Sequence, residues 1–314
     1  MVNVRKVAVI GCGFVGASIA FSLMQKALYS EMVLLDVDKR KAEGEAMDLS
    51  HGLPYTASMD IYAGDYDDLG DCALVIITAG ANQKPGETRL DLAGRNVKIL
   101  ESIIEKIKAT PFEGILMIVT NPVDILTYEA QRISGYPKGR VIGSGTVLDT
   151  ARLKYLLGCH LDVDSRSIHA FILGEHGDSE LAVWSGANVS GVDLDHFCEL
   201  RGHFNHEEAM RKIYEDVHDS AYEIIERKGA TYYGIAMAVA RIAESIVKDE
   251  QAVLPVSTVL DGEYGLRGLA LSIPSVLGKN GVETVLEIPL SRKENQELHA
   301  SAEQLKTMID QLEA

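Results

Sequence analysis

In the first half of the chain, short apolar runs alternate with longer amphipathic segments. Several runs are apolar without interruption, which is typical of parallel strands that are covered on both faces. They predict strands over residues 6–10, 32–36, 59–63, 73–78, 115–120 and 140–142. The amphipathic segments predict helices over residues 14–27, 39–51, 88–109 and 123–134. This alternation indicates an α/β fold with a doubly wound parallel sheet.

The pattern changes after about residue 143. Helices are predicted over residues 149–158, 207–228, 231–248 and 292–312. Strands are predicted over residues 168–173, 252–260 and 269–276, with strand-like pieces around 182–189 and a turn at 261–265. We interpret this half as a second, α+β domain, which divides the chain into residues 1–143 and 144–314.

Composition narrows the class of protein. Of the 314 residues, 46% are apolar and 24% charged, as in an ordinary globular protein. The net charge of −16 argues against nucleic acid or an acidic membrane as a partner, because phosphates attract an excess of Lys and Arg. The four cysteines show neither a C-x-x-C pair nor metal-ligand spacing, so we expect reduced thiols and no metal. With no signal peptide or apolar span evident, we expect a cytoplasmic protein.

A glycine motif joins the first predicted strand to the first predicted helix. Gly11-Cys-Gly13-Phe14-Val15-Gly16 has the G-x-G-x-x-G spacing of a Rossmann-type dinucleotide site, where the helix N-terminus faces a pyrophosphate. Asp36 ends the second predicted strand, at the position of a ribose hydroxyl acceptor. Its carboxylate would repel a 2′-phosphate, so we predict NAD rather than NADP. The alternative is a glycine-rich turn without a ligand and an Asp that caps a helix.

Two further polar segments follow predicted strands. Thr78-Ala79-Gly80 and Thr120-Asn121-Pro122 both lie at carboxyl ends of strands, where open α/β sheets bind ligands. We predict that the first segment contacts the cofactor. Asn121 either binds the nicotinamide ribose or the substrate, or serves as a turn-forming Asn-Pro.

The candidate chemistry centres on a histidine between glycines. His176, in Gly174-Glu-His-Gly-Asp178, would have an accessible imidazole suited to proton transfer near neutral pH. Asp149 and Arg152 are three residues apart, on one face of a predicted helix. The carboxylate would orient His176, and the guanidinium offers a planar fork for a carboxylate ligand. The alternatives are a structural histidine and a weak helix-surface ion pair.

The segment 79–91 has the composition of a mobile lid. Gly80, Pro85 and Gly86 suit a segment that bends or moves. It carries a neutral Gln83 and a cationic Arg89, so closure would bring both to a substrate.

Five motifs occur in order at the spacings of the L-lactate/malate dehydrogenase family. They are GCGFVG at 11–16, TAG-x-x-QKPGETR-x-D at 78–91, TNPVD at 120–124, IGSGT-x-LDTAR at 142–152 and GEHGD at 174–178. KGATYYGI at 228–235 extends the likeness over nearly the whole chain. The sequence resembles this family, most closely its bacterial L-lactate dehydrogenases.

The resemblance implies a role for each matched residue. His176 resembles the catalytic acid and base, and Asp149 resembles the carboxylate that orients it. Arg152 resembles the anchor of the substrate carboxylate, and Arg89 the lid arginine that polarises the substrate carbonyl. The other matched positions imply contacts to nicotinamide ribose and substrate (Asn121), the substrate side chain (Thr231), the nicotinamide ring (Ile235) and its carboxamide (Ser144).

The choice of substrate depends on Gln83. Family members that act on malate resemble this sequence with an arginine at that position, which neutralises a second carboxylate. A neutral Gln83 and a small Thr231 therefore favour pyruvate and L-lactate. Malate or a bulkier 2-hydroxy acid is the alternative, since Lys84 next to Gln83 offers a cation.

The resemblance also bears on regulation and assembly. Many bacterial relatives respond to fructose 1,6-bisphosphate through an arginine and a histidine that correspond to Lys154 and His169. Lys154 departs from the pattern, since it keeps the charge but loses the bidentate fork, so the effector binds weakly or these are a solvated lysine and a strand histidine. The family suggests a homotetramer, with a dimer as the alternative. A catalytically silent NAD-binding sensor or interaction protein is the rival class, but such a protein would not need all four of His176, Asp149, Arg152 and Arg89.

Overall fold

The computed structural model describes residues 2–81, 86 and 88–313. Its strands are β1 Asn3–Ile10, β2 Glu31–Leu35, β3 Asp60–Ala63, β4 Cys72–Ile77, β5 Ile115–Ile118, β6 Val141–Gly143, β7 Ile168–His169, β8 Ile172–Leu173, β9 Leu181–Ala182, β10 Asn188–Val189, β11 Val192–Asp193, β12 Ala252–Asp261, β13 Arg267–Gly278 and β14 Gly281–Val285. Its helices are α1 Phe14–Lys26, α2 Lys39–Gly52, α3 Arg89–Lys108, α4 Val123–Ser134, α5 Val147–Leu161, α6 Leu194–Leu200, α7 His206–Lys228, α8 Tyr233–Val247 and α9 Arg292–Glu313. Within these described residues, no helix is long and apolar enough to span a bilayer.

One large sheet organises the molecule. Six parallel strands lie in the order β3-β2-β1-β4-β5-β6, with β1 at the centre and Val7 opposite both Met32 and Leu74. This is the doubly wound order, so the predicted Rossmann-type fold is confirmed. The second half of the chain extends the same sheet, because β12 pairs antiparallel with β6 at Ser257 and Gly143, and β13 and β14 follow.

Both faces of the parallel sheet are buried. Ile19 of α1 and Val239 of α8 belong to the core on one face. Ile104 of α3 and Leu126 of α4 belong to the core on the other. Because helices cover both sides, the strands need apolar residues at every position, and this explains the uninterrupted runs in the sequence.

The second half has smaller sheets and its own apolar clusters. The prediction of one strand over 168–173 is wrong, since β7 pairs with β10 and β8 pairs with β9, in different sheets. Apolar residues continue through the break because Ala170 is buried, so the pattern gave no sign of it. The predicted helix over 149–158 is α5, which begins at Val147 and ends at Leu161. The pattern also missed α6 and β14.

Candidate active site

The loop between β1 and α1 contains three glycines. At Gly11 and Gly16 a side chain would clash with the backbone, whereas at Gly13 there is room for one. Gly11 has φ of +101°, and a Cβ there would lie 2.6 Å from the backbone nitrogen of Ala79. A Cβ on Gly16 would lie 1.8 Å from the carbonyl oxygen of Gly11, so the helix packs on the loop only with glycine there. Gly13 precedes α1 and faces open space. The loop therefore fits a phosphate group at the helix N-terminus.

The two side chains inside the motif point in different directions. Val15 lines the cavity that also contains His176 and Arg152. Phe14 is exposed and stacks on the ring of Tyr232, with centroids 5.4 Å apart. Since Tyr232 follows Thr231, this stack joins the glycine loop to the segment expected to contact the substrate side chain.

Asp36 is held beside the glycine loop. Its carboxylate accepts hydrogen bonds from the backbone nitrogens of Cys12, at 2.7 Å, and Asp38, at 3.0 Å. Asp38, not Asp36, caps α2, since its side chain accepts from the Arg40 and Lys41 nitrogens. Asp36 is half-buried at the end of β2, where it fits the hydroxyls of an NAD ribose.

The other strand ends converge on the same loop. The hydroxyl of Thr78 donates to the Gly11 carbonyl at 2.8 Å, and that of Thr120 donates to the Ala79 carbonyl at 3.0 Å. A Cβ on Gly80 would lie 2.2 Å from Cγ2 of Thr120, so the two segments touch at that glycine. The structure thus brings the predicted cofactor residues of β1 and β4 together.

A buried asparagine on α3 connects Ala81, near the start of the segment 79–91, to Asn121. Asn96 is 2% exposed, accepts a hydrogen bond from the Ala81 nitrogen at 2.8 Å and donates to the Asn121 carbonyl at 2.8 Å. No sequence motif predicted this residue. The available signal was an amide among apolar residues on the core face of the helix, such as Ala93 and Leu100.

The three residues predicted to carry the chemistry lie together. Nδ1 of His176 is 2.6 Å from one carboxylate oxygen of Asp149, and Nη1 of Arg152 is 2.8 Å from the other. Asp149 is 2% exposed, so the i, i+3 pair is not a surface ion pair. Asp124 of α4, which the sequence analysis missed, accepts from the His176 backbone nitrogen at 2.7 Å. These contacts fix the imidazole from two helices.

The loop that carries His176 is also bonded to the large sheet. Gly174 and Ser272 of β13 exchange backbone hydrogen bonds of 3.1 and 3.0 Å. The histidine is therefore attached, through two peptide groups, to the same sheet that carries the glycine loop.

The interaction between His176 and Asp149 favours the charged form of the histidine. Burial alone would lower the pKa of His176, but the charge of Asp149 and its hydrogen bond raise that pKa to about 9. Burial alone would raise the pKa of Asp149, but His176 and then Arg152 lower it. The site therefore holds an imidazolium and a carboxylate at neutral pH, which equips His176 to donate a proton.

A second buried carboxylate lies next to this pair. Glu180 is 6% exposed, and one of its oxygens, one of Asp149 and a ring nitrogen of His176 all lie within 4.8 Å of one another. Burial, followed by the charge of Asp149, raises the pKa of Glu180 to about 8. The sequence analysis missed it because a Glu four residues after a histidine is ordinary in a loop.

Arg89 lies on the wall of the same cavity. It begins α3, after Thr88 and Asp91 form a reciprocal cap, and pairs with Asp178. Gln83 and Lys84 fall outside the described residues. The cavity is about 510 Å³ in volume, and its described lining includes Val15, Arg89, Asn121, Arg152, His176 and Glu180.

Some predicted residues lie away from this cavity. In the described part of the chain, its lining does not include Ser144, Thr231 or Ile235. Ser144 is buried, and Ile235 packs against the core beside α1. Lys154 is half-buried on α5, which lowers its pKa, while His169 is exposed on β7. The roles suggested for these five residues stay predictions.

Comparisons with known proteins identify the class and then the family. The dinucleotide loop and the charged histidine beside an arginine are the features of an NAD-binding oxidoreductase that acts on a CH–OH group, and the relatives belong to this class. The family models for the NAD-binding domain and the alpha/beta C-terminal domain of lactate/malate dehydrogenase match residues 5–143 and 146–314. The chain therefore belongs to the lactate/malate dehydrogenase family, and the resemblance drawn from its motifs is confirmed.

Individual relatives cover nearly the full length. The L-lactate dehydrogenase of Priestia megaterium is 52% identical over 306 residues, 98% of this chain and 96% of the relative. That of Acetivibrio thermocellus is 50% identical over 310 residues, 99% and 98% of the two chains. The crystal structure of a lactate dehydrogenase from a Medee basin deep-sea metagenome library superposes with a TM-score of 0.96, at 47% identity and full coverage of both chains. The minor L-lactate dehydrogenase of Enterococcus mundtii gives 0.95 at 44% identity, with 98% of each chain covered.

Proposed function

We propose that this protein is an L-lactate dehydrogenase that interconverts pyruvate and L-lactate with NAD as its cofactor. The observation that carries the proposal is the buried Asp149 carboxylate, which bonds both His176 and Arg152 on the wall of one cavity. A proton donor and a carboxylate anchor are thereby held side by side, as reduction of a 2-oxo acid requires. The full-length L-lactate dehydrogenase relatives support the same activity.

NADH, when bound, supplies the hydride. The residues that would hold it are the glycine loop with Phe14 and Val15, Asp36, the segment 78–80, Asn121, Ser144 and Ile235. Open space at Gly13 and the position of Asp36 support this assignment.

The chain's own residues then bind the substrate and deliver the proton. The Arg152 guanidinium binds the pyruvate carboxylate while Asp149 keeps it in place. His176 donates its proton to the carbonyl oxygen, and Asp149 stabilises the imidazolium before transfer. Arg89 stabilises the negative charge that grows on that oxygen. In lactate oxidation the neutral His176 accepts the proton.

The preference for pyruvate over oxaloacetate is assigned to Gln83, with Thr231 beside the substrate side chain. A neutral Gln83 leaves a second carboxylate without a partner, and an unpaired buried carboxylate costs several kcal/mol. We expect NADH oxidation to be fast with pyruvate and slow with oxaloacetate, and Gln83→Arg to reverse the order. Lys84→Gln is the matched control, since it removes the adjacent cation. A preference for oxaloacetate in the parent that Lys84→Gln abolishes would overturn this assignment in favour of malate.

Assembly and regulation follow from the family resemblance. We assign a homotetramer, a boundary between the two domains at residue 143, a cytoplasmic location and a fermentative role at the end of glycolysis. Lys154 and His169 form a weak site for fructose 1,6-bisphosphate. At low pyruvate, the rate should rise with millimolar effector, and more steeply in Lys154→Arg, which restores the bidentate fork. A flat response in both proteins would rule out the effector site, and light scattering separates a tetramer from a dimer.

A further inference from the structure

Glu180 is a buried carboxylate that the mechanism above does not use. It lies between β8 and β9, is 6% exposed and lines the cavity, and its Oε1 has no hydrogen-bond partner among the described residues. The backbone on both sides is fixed, since the Glu180 nitrogen donates to Gly177 and its carbonyl accepts from the hydroxyl of Tyr214. The free carboxyl oxygen is therefore held in the cavity wall.

Charged and titratable groups from several elements face Glu180. On its own loop these are His176 and Asp178, and on α5 they are Asp149 and Arg152. On α7, the hydroxyl of Tyr214 donates to the Glu180 carbonyl. His218 of α7 and Arg89 of α3 line the same cavity. The charge of Glu297 on α9 helps to raise the pKa of Tyr214. Arg152 already gives one nitrogen to Asp149, so an ionised Glu180 would compete with the substrate for the rest of the guanidinium.

We propose that Glu180 controls binding of the anionic substrate. The site binds the substrate while Glu180 is protonated and releases it when Glu180 ionises. The inference rests on the proposed function. With Glu180 neutral, the charges of Asp149, His176 and Arg152 sum to +1, which one substrate carboxylate neutralises. With Glu180 ionised, the charges of the same four groups sum to zero, and a bound monocarboxylate would be left without a balancing charge.

The direction of the pH effect follows from burial. Burial and the charge of Asp149 raise the pKa of Glu180 to about 8, although His176 and Arg152 oppose the shift. Glu180 is thus protonated at neutral pH and ionises as the pH rises through about 8, before His176 loses its proton at about 9. Substrate binding should therefore weaken in two stages, of which the first belongs to Glu180.

Binding of oxamate, a pyruvate-like monocarboxylate that accepts no hydride, tests the proposal without turnover. Calorimetry on the NADH complex should show that the dissociation constant rises in two steps in the parent, of which the first begins near pH 8. In Glu180→Gln it should rise in a single step that belongs to His176, whose pKa falls when the charge of Glu180 is lost. Between pH 7 and pH 9 the increase should be severalfold larger in the parent. Glu175→Gln, which removes a buried carboxylate of the same loop that is bonded to Ser179, should keep the parental profile. Equal pH profiles in the parent and Glu180→Gln would overturn the proposal.

A spectroscopic measurement on the unmodified protein keeps the test independent of folding and of activity. Infrared difference spectra should show the band of a protonated buried carboxyl group at pH 7, which disappears above about pH 8. Absence of that band at pH 7 would overturn the assignment to Glu180. Failure of the parent to oxidise NADH with pyruvate at any pH would instead count against the proposed function, so the two failures are distinguishable.

Discussion

The guanidinium of Arg89 lies 2.5 Å from the carboxylate of Asp178. The other oxygen of that carboxylate accepts a hydrogen bond from the hydroxyl of Tyr222 at 2.9 Å. Arg89 is the first residue of α3, within the segment 79–91, and Asp178 is the last residue of the GEHGD motif that carries His176. The residue proposed to stabilise the developing alkoxide is therefore paired with the loop that carries His176, and this pair would compete with its contact to the substrate.

Weakening this pair should favour substrate binding. Both side chains are about half exposed, so the pair is worth on the order of 0.2–1 kcal/mol. We expect Asp178→Asn to lower the pyruvate KM by up to about fivefold. Tyr222→Phe keeps both charges and should change it less. Steady-state kinetics at fixed NADH decides the point, and a raised KM in Asp178→Asn would mean that the carboxylate itself assists binding.

Removal of the Asp149 charge should move the pH dependence of pyruvate reduction. Reduction needs protonated His176, whose pKa is raised to about 9 chiefly by Asp149 against the effect of burial. In Asp149→Asn that pKa falls toward or below its ordinary value near 6.5. At pH 8, kcat/KM should drop by roughly 10–100-fold, and less at pH 6. A pH profile that keeps its parental midpoint would contradict this account.

The same titration affects stability. Because the folded pKa of His176 lies above its unfolded value, its contribution is fully present below about pH 6.5 and is lost as the pH rises toward about 9. Glu180 acts in the same sense, since its pKa of about 8 exceeds the ordinary glutamate value. The free energy of unfolding should therefore fall across this window in the parent and less steeply in His176→Gln. Urea titrations at several pH values measure it, and a rise over this interval would refute the prediction.

Cofactor selectivity should depend on Asp36 and not on its neighbour. Asp36 accepts two backbone hydrogen bonds beside the glycine loop, whereas Asp38 caps α2. Asp36→Ser should raise the KM for NADH by roughly tenfold and lower that for NADPH, because the repulsive carboxylate is gone. Asp38→Asn retains a capping side chain and should leave both constants unchanged. Equal effects in the two variants would show that loop stability, rather than ribose recognition, was altered.

Loss of the Asn96 amide should affect both stability and the substrate site. In Asn96→Ala the Ala81 nitrogen and the Asn121 carbonyl lose their partner, which costs about 0.5–1.5 kcal/mol per hydrogen bond, because water can reach these partly exposed groups. We expect a lower unfolding midpoint and a higher pyruvate KM, because the start of the lid is no longer tied to Asn121. Ser102 lies exposed on the same helix, so Ser102→Ala is the control for helix substitution. Equal unfolding midpoints in Asn96→Ala and Ser102→Ala would show that the hydrogen bonds of Asn96 do not stabilise the fold.

The sequence predicted the first half of the fold well for a physical reason. Strands buried on both faces need continuous apolar runs, and helices between them need one apolar face, so both patterns are local. The candidate catalytic residues could be predicted together because their chemistry lies in short motifs, such as Asp149 to Arg152. Asn96, Asp124 and Glu180 were missed because their importance comes from burial, which depends on elements distant in sequence. The break between Ile168–His169 and Ile172–Leu173 was missed because each half has a different strand partner.

The bond between Gly174 and Ser272 has a kinetic consequence. It attaches the histidine loop to β13, and β13 continues, through β12, the sheet that carries the glycine loop. The spatial relation between the proposed cofactor loop and His176 is thus established once, when the chain folds, rather than anew in each turnover. The entropy of aligning the two sites is then lost during folding, before cofactor and substrate bind.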